Sequence, residues 1–361
     1  MLSSRTDEGQ TGATCQALAA MVRAYSPGRV NLIGDHTDYN EGFALPMAID
    51  LGTTVSIEPD DGLRVVLRSA GEPELADVDV HFPLDPEQLT VLEPRWARLV
   101  AAMVAVARPA RGGTGTVETT LPVGAGLSSS AALEVALALA FGFEATPVVM
   151  ARACQRAEQA ATGAPTGVMD QLTVAAGIEG CALLVDFSDL HVTPVPLPES
   201  AEFVAVHSGL HRVLSHTAYA ARRAECEAAA YRLGPLGHLG PEDVTSIADS
   251  LLRRRVRHVV SECDRVRWCA SALAKGDLVD AGNLMTSSHH SLARDFEVST
   301  PQLDALVARL TSTPGVYGAR LTGAGFGGCV VALADPGAVD VTTFPTPAWR
   351  LRPSAGAAVL R

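Results

Sequence analysis

The sequence has little positive charge. Its 28 Lys and Arg residues face 40 Asp and Glu residues, which gives a formal net charge of −12, and lysine occurs once, at Lys275. Proteins that bind the phosphate backbone of nucleic acids normally present a basic face, so this balance argues against a nucleic-acid partner. It does not exclude a nucleotide substrate, because a single ATP needs local backbone donors and a metal ion rather than a basic protein.

Long apolar runs and a disulfide pattern are also absent. The longest apolar stretches, such as Leu99–Ala107, have about half the length of a membrane span, and the first residues hold no apolar run typical of a signal peptide. The seven cysteines are odd in number, scattered, and without a CxxC pair, which favours a reducing compartment. We therefore expect a soluble, cytoplasmic protein without a membrane partner.

The chain does have the length and apolar content for two hydrophobic cores. Its 361 residues exceed what one core normally supports, and 47% of them are hydrophobic. Apolar runs bounded by turn residues alternate with helical patterns, which indicates a mixed α+β fold. Three prolines predict a connector over Thr193–Ser200, and we place the domain boundary there. The predicted domains are 21–195 and 196–361.

The residue patterns also predict individual elements. The predicted strands are Gly52–Ile57, Leu63–Leu67, Gly115–Thr120, Val316–Leu321 and Gly328–Ala334. The predicted helices are Pro94–Ala107, Ala131–Phe141, Val148–Ala161, Thr217–Leu233, Glu242–Cys269 and Pro301–Thr311.

The first segment suited to chemistry is Pro27–Asn40. Seven polar or ionisable side chains lie in it besides a tyrosine, and an apolar pair interrupts them, which indicates a strand that enters a loop. Asp35, His36 and Asp38 are close enough in sequence to bind a metal ion or the hydroxyls of a polyol. A solvated turn is an equal alternative, since Asp, Asn, Thr and Gly are common in turns.

The second segment, Leu121–Ser130, leads directly into a predicted apolar helix. Its small residues allow a close approach of the backbone, and three serines lie where N–H groups at the helix N-terminus and the helix dipole favour phosphate. It lacks the Gly-Lys-Ser/Thr of the Walker loop and the spacing of the dinucleotide fingerprint. A Ser N-cap is the alternative, but the run of small residues exceeds what a cap requires. We therefore favour phosphate binding.

Two further segments are ambiguous when each is taken alone. Gly163–Gln171 contains Asp170, and Glu158 precedes it on a predicted helix, so two carboxylates could divide between a metal ion and a hydroxyl. Leu321–Cys329 contains four glycines. It could lie against a ligand or form a tight hairpin between two strands.

Taken together, the four segments resemble the galactokinases, within the GHMP kinases (galacto-, homoserine, mevalonate and phosphomevalonate kinases). Pro27–Asn40 resembles the galactokinase signature, Leu121–Ser130 the ATP loop, Gly163–Gln171 the Gly-Ile-Met-Asp-Gln catalytic segment, and Leu321–Cys329 the C-terminal glycine motif. They stand in the family's order, and the resemblance spans roughly Tyr25 to Arg361. Four motifs in the order of the family are not expected by chance, so the resemblance is specific.

The resemblance implies a two-lobed GHMP kinase fold of class α+β. The N-terminal lobe would be ribosomal-S5-domain-2-like, with a five-stranded sheet against helices, and the C-terminal lobe would be ferredoxin-like. ATP and a monosaccharide would meet in an active site in the cleft between the lobes.

The resemblance also implies the ATP and metal sites. Ser130 and Glu158 would hold Mg²⁺, a hard cation that takes oxygen ligands. The cofactor-binding residues would be Gly124, Ala125, Gly126, Leu127, Ser128, Ser129 and Ser130.

For the reaction, the resemblance implies that Asp170 accepts the proton of the attacking sugar hydroxyl or orients it. Arg29 would lie beside it and neutralise charge on the transferred phosphoryl group. The sugar-binding residues would be Asp35, His36, Asp38, Gly167, Asp170 and Tyr219. Two departures from the family pattern concern the sugar: Asp35 stands where Glu is usual, and His207 where Asp or Asn is common.

The implied activity is ATP-dependent phosphorylation of D-galactose at the anomeric hydroxyl, by a monomer or weak dimer. One alternative is a kinase for another aldose or an amino sugar at the same position. The other is a galactose-binding regulator without turnover. Such regulators lose residues of the Ser-Ser-Ser-Ala loop, whereas Ser130 and Ala131 are intact here, so the enzyme is favoured.

Overall fold

The computed structural model describes residues 20–122, 124–210 and 215–360. In these ranges the strands are β1 Val22–Asn31, β2 Phe43–Ala44, β3 Pro46–Pro59, β4 Arg64–Ser69, β5 Ala76–Asp79, β6 Gly113–Thr119, β7 Cys181–Asp186, β8 His191–Pro196, β9 Glu202–His207, β10 Val316–Thr322, β11 Cys329–Ala334, β12 Ala348–Leu351 and β13 Ala358–Leu360. The α-helices are α1 Pro86–Val91, α2 Ala97–Ala107, α3 Ser129–Ala140, α4 Pro147–Thr162, α5 Met169–Ala176, α6 Ser215–Leu233, α7 Pro241–Ser246, α8 Ser250–Lys275, α9 Leu278–Arg294 and α10 Pro301–Thr311.

The helix ends follow from local sequence. Thr146 caps α4 by accepting from the Val149 N–H, and Gly163 ends that helix in the left-handed conformation. Thr300 caps α10 in the same way, directly before a proline at the first helical position. The predicted helix Pro301–Thr311 is confirmed over its whole length.

The first lobe is built on a six-stranded sheet in the order β13-β1-β3-β6-β4-β5. Neighbouring strands are antiparallel except β4 and β6, which run parallel. Helices α2 and α3 pack against this sheet, and α4 packs on α2 and α3. Their shared core includes Val55, Leu67 and Leu137. The sixth strand is β13, which returns from the far end of the sequence and pairs with Arg23–Tyr25, so the five-stranded sheet expected from the resemblance gains one strand.

The second lobe has a four-stranded antiparallel sheet in the order β10-β11-β9-β12, against which α9 and α10 pack. A separate three-stranded sheet, β2-β7-β8, lies beside α8. One core joins the two lobes, because Val30 and Met47 of the first lobe share a buried cluster with Phe203, Val266 and Met285 of the second. None of the helices in the described ranges combines the length and apolar character needed to cross a bilayer.

Two element predictions are wrong in part. Thr193–Ser200 was expected to be a connector, but its first half belongs to β8, which pairs with β7. β8 is an edge strand, where proline is tolerated because no ladder hydrogen bond is lost on the open side. The predicted helix Glu242–Cys269 is two helices, since the Asp249 side chain accepts from the Leu251 and Leu252 N–H groups and starts α8 anew.

Candidate active site

A cavity of about 670 Å³ lies between the two lobes. It is bordered by the segment after β1, the loop before α3, helices α4, α5 and α6, and the β10–β11 turn. Most of the predicted site residues line it, namely Arg29, Asp35, His36, Asp38, Gly124, Gly126, Ser128, Ser129, Ser130, Glu158, Gly167, Asp170 and Tyr219. Ala125 and Leu127 do not. Both are buried, and Leu127 packs in the core that joins the lobes.

The central pair of the cavity is Arg29 and Asp170. Arg29 Nε and Nη2 donate to the two carboxylate oxygens of Asp170 at 2.8 and 2.6 Å, and Nη1 donates to the Gly126 carbonyl at 2.6 Å. Ser128 Oγ donates to the same carboxylate. The Arg29 side chain is 5% exposed and that of Asp170 31%. A buried, bidentate guanidinium therefore holds a carboxylate that still faces the cavity.

The loop before α3 has the backbone of an anion site. Gly124 and Gly126 take positive φ angles of 76° and 83°, and Ser128 follows at 59° before α3 begins at Ser129. A non-glycine residue in this region is uncommon. It turns the chain so that the first turn of α3, whose N–H groups have no partners within the helix, meets the cavity.

A second carboxylate lies beside this loop. Ser130 Oγ donates to Glu158 at 3.0 Å, and Gln171 Nε2 donates to Glu158 at 2.9 Å and to the fully buried Glu134 at 3.0 Å. Burial, and then the negative charge of Asp170, raises the pKa of Glu158. A cation bound beside Glu158 would offset the free-energy cost of the buried negative charge on its carboxylate. Sequence reasoning missed Gln171 and Glu134, because their role appears only where α3, α4 and α5 meet.

A hydroxyl and a carboxylate are a donor set that suits Mg²⁺. The described ranges contain no group of three or more His, Cys, Asp or Glu side chains placed to hold a metal ion. Mg²⁺ in kinase sites is bound by one or two carboxylates plus substrate phosphates and water, not by an all-protein cage. Ser130 and Glu158 beside the loop therefore fit a metal ion that arrives with nucleotide.

Asp38, His36 and Tyr219 form a further part of the cavity wall. Burial, followed by the charge of Asp170, raises the pKa of Asp38 to about 6. Burial lowers the pKa of His36 to about 3, so this imidazole is neutral. Its Nδ1 lies 2.9 Å from the Tyr39 hydroxyl, and its ring lies 4.5 Å from that of Phe296.

Gly167 is packed against Asp38 so closely that a Cβ at this position would overlap the Asp38 carboxylate. Only glycine therefore leaves Asp38 where it is, and the two residues form one corner of the cavity.

Of the two departures from the family pattern, Asp35 lines the cavity and His207 does not. Asp35 is 2% exposed, and its carboxylate accepts from Arg320 Nη2 at 2.5 Å and from the Gly323 N–H at 2.9 Å. It borders the cavity while ion-paired to the second lobe. His207 does not line the cavity, and its Nδ1 accepts from the Gly209 N–H at 3.1 Å.

Several lining residues were not predicted, among them Tyr39, Thr166, Met169, Gln171, Gly323 and Ala324. All six lie inside the four segments, so membership of a segment was the available signal. Leu321–Cys329 forms the turn between β10 and β11, as one of its two alternatives predicted, and Gly323 and Ala324 in this turn line the cavity. Contact of the turn with a ligand stays a prediction.

Three segments of the chain match models of known protein families. Residues 16–59 match the model described as the galactokinase galactose-binding signature. Residues 97–177 match the N-terminal domain of GHMP kinases, and residues 269–341 match their C-terminal domain.

Among whole chains, the galactokinase of Canis lupus familiaris is 42% identical over 329 residues, which cover 86% of this chain and 83% of the dog protein. The crystal structure of Lactococcus lactis galactokinase complexed with galactose matches with a TM-score of 0.85 and 28% identity, covering 95% of this chain and 96% of that one. A mevalonate kinase structure matches with a TM-score of 0.65 and 19% identity, covering 92% and 99% of the two chains.

Proposed function

The chain belongs to the galactokinase family of the GHMP kinases, and from this we propose that it transfers the terminal phosphate of ATP to the anomeric hydroxyl of D-galactose. The predicted α+β fold, with its two GHMP kinase lobes, is confirmed. The single observation that carries the proposal is the cavity itself, in which a bidentate Arg–Asp pair stands between a small-residue loop and a wall of hydrogen-bonding side chains.

Asp170 and Arg29 are assigned to the reacting atoms. Phosphoryl transfer depends on positioning and on neutralising charge more than on covalent chemistry. The Asp170 carboxylate, fixed by Arg29 and Ser128, would orient the attacking hydroxyl and take its proton. Arg29 would also reduce the repulsion between this carboxylate and an approaching phosphate.

The loop before α3 is assigned to the ATP phosphates, through Gly124, Ser128 and Ser129 at the cavity wall. Ala125 and Leu127, which were also predicted to bind the cofactor, could take part only through their backbone, since Ala125 is 3% exposed and Leu127 1%. Ser130 and Glu158 would hold Mg²⁺, which when bound neutralises phosphate charge.

The sugar is assigned to the wall formed by His36, Asp38, Gly167 and Tyr219, with Asp35 at its inner edge. Each sugar hydroxyl both donates and accepts a hydrogen bond, so a wall that mixes a carboxylate, a neutral imidazole and a phenol is suited to it. The neutral state of His36 follows from its burial. Because its Nδ1 lies 2.9 Å from the Tyr39 hydroxyl, Nε2 is the ring nitrogen left for a sugar hydroxyl.

Another aldose or an amino sugar stays an alternative, because Asp35 departs from the Glu usual in the family. A regulator without turnover is disfavoured, since Arg29, Ser130, Glu158 and Asp170 all line one cavity. Location in the cytoplasm and a monomeric or weakly dimeric state stay predictions, as does the division into 21–195 and 196–361.

The proposed activity is tested by ADP release over a panel of monosaccharides, with the phosphate position assigned by NMR. We expect galactose to be the preferred acceptor and the product to carry its phosphate on the anomeric oxygen. Removal of Mg²⁺ with a chelator should abolish turnover and its return should restore it. A folded protein that binds ATP yet releases no ADP with any aldose would contradict the proposal.

The pH dependence of sugar binding is predicted from Asp38. Because the pKa of its carboxyl is raised to about 6, the ionised acceptor is present above that pH and is lost as the pH falls below it. Galactose affinity should therefore decrease as the pH is lowered below about 6. If the Asp38 carboxyl had an ordinary pKa, the affinity would stay constant down to about pH 4. Calorimetric titration with galactose in the absence of nucleotide measures this pH dependence. It leaves out the effect of Glu158 protonation on metal and nucleotide binding. Asp38→Asn should bind galactose weakly with a flat profile, and an unchanged slope in that variant would contradict the assignment.

A further inference from the structure

The sugar-binding segment after β1 is held from behind by the second lobe. The Gly34 N–H donates to Glu262 Oε1 of α8 at 3.0 Å, and the Asp35 carbonyl lies 3.1 Å from Nε2 of His258, also on α8. Arg320 of β10 donates to the Asp35 carboxylate at 2.5 Å. We call His258, Glu262 and Arg320 the interlobe cluster.

The interlobe cluster is fully buried. His258, Glu262 and Arg320 are each 0% exposed, and Arg320 Nη2 lies 4.0 Å from Glu262 Oε1. Taking such charges out of water costs free energy that their mutual attraction repays only with good geometry. A cluster of this kind contributes little net stability compared with apolar packing, so its defined geometry is the property that needs an explanation.

Glu262 is the centre of the cluster. Its Oε1 accepts from Gly34 and from Ser288 Oγ, while its Oε2 accepts from Arg265 Nε at 2.8 Å. Burial alone would raise the pKa of Glu262. Nearby positive charge, first that of Arg265, and the hydrogen bond from Ser288 together outweigh burial and lower the pKa to about 2. The carboxylate is therefore a fixed negative charge that orients one backbone N–H of the sugar segment and the guanidinium that holds Asp35.

The segment is packed closely at Gly34, where there is no room for a side chain. The φ of Gly34 is +100°, and a Cβ there would meet Ala44 Cα and the Phe43 carbonyl oxygen at 2.6 Å. The segment is thus packed against β2 on one side and hydrogen-bonded to α8 on the other. Its conformation is set by contacts from outside it.

We infer that Glu262 is a positioning residue for the sugar site: it fixes Gly34 directly and Asp35 through Arg320, and so selects the conformation of Asp35–Asp38 that accepts the sugar. This inference rests on the proposed function, because it takes the wall of Asp35, His36 and Asp38 as the sugar site. Glu262 lies outside the set of cavity-lining residues, so it would act through Gly34 and Arg320 and not by direct contact with the sugar.

The test is Glu262→Gln, with Asp264→Asn as the matched control. Both replace a carboxylate of α8 that pairs with an arginine three residues on, Arg265 or Arg267. Only Glu262 also holds Gly34. We expect Glu262→Gln to raise the galactose KM and the calorimetric Kd for galactose about tenfold, the size of one hydrogen bond to a charged group. The ATP KM and the affinity for a non-hydrolysable ATP analogue should stay within about twofold. Asp264→Asn should change none of them.

A second variant keeps the test decisive if Glu262→Gln does not fold. Ser288→Ala removes one donor to Glu262 Oε1 and leaves every charge in place, so it should weaken galactose binding about two- to threefold without affecting nucleotide. An equal loss of galactose and nucleotide affinity, or no loss of either, would overturn the inference. Absence of turnover in the unmodified protein would instead count against the proposed function, since the binding comparison does not need turnover.

Discussion

Asp170→Asn is expected to lower kcat by on the order of 10²–10⁴, the usual contribution of a positioned general acid or base. The amide keeps the shape of the carboxylate but has no negative charge. It also presents an N–H₂ group to Arg29, which donates to both Asp170 oxygens in the native pair. The attacking hydroxyl would lose both its acceptor and its orientation. Steady-state rates at saturating galactose and ATP measure the effect.

The matched control for that variant is Asp77→Asn. Asp77 also pairs with an arginine, Arg64, at 2.7 Å, but both side chains are half exposed and lie on β4 and β5. It should leave kcat unchanged. Nucleotide binding and the melting temperature show whether Asp170→Asn is folded. A folded Asp170→Asn enzyme with near-native turnover would mean that this residue is not at the reacting atoms.

Gly167→Ala is expected to raise the galactose KM by roughly ten- to a hundredfold. The new methyl group would overlap the Asp38 carboxylate, so Asp38 must leave its place in the wall. Loss of a hydrogen bond to a charged group costs about 1.5–3 kcal/mol, and each 1.4 kcal/mol corresponds to about a tenfold change in affinity. The ATP KM should hardly change, because Gly167 lies on the sugar side.

Gly71→Ala serves as the control for this change. A Cβ at Gly71 meets nothing within 4 Å, so kinetics and stability should match those of the native protein. Measuring both KM values in both variants separates a sugar-site effect from general damage. If Gly167→Ala bound galactose as the native protein does, the corner formed by Gly167 and Asp38 would not contact the sugar.

Much of the fold could be predicted from sequence where local signals are strong. The caps and prolines that bound α4 and α10 act within a few residues, so periodicity and capping locate these helices well. The failures involve tertiary contacts. A proline-rich stretch such as Thr193–Pro196 predicts a connector, and only the partner β7 makes it an edge strand. Nothing local indicates that Ala358–Leu360 would pair with β1.

The residues of the candidate site also differ in how far the sequence predicts them. Arg29 and Asp170 are 141 residues apart in sequence, and the family resemblance, not the pattern of residues, brought them together as a prediction. The resemblance included Gln171 in the catalytic segment but did not show that it donates to two carboxylates. It also did not show Arg320 behind Asp35, because each contact depends on the packing of several elements. Buried polar partners of site residues are therefore the part of a site that a sequence reveals least.

The attachment of the sugar segment to α8 and β10 also limits how substrate preference can change in evolution or in directed evolution. Asp35 and Arg320 are in direct contact, so the effects of substitutions at the two positions should not add. A mutant library that varies only residues 35–38 would place new side chains next to His258, Glu262 and Arg320, which stay unchanged. Most variants in such a library would lose galactose binding before they acquire binding of another sugar. Libraries that vary positions 35, 262 and 320 together would reach new sugar preferences through fewer inactive intermediates.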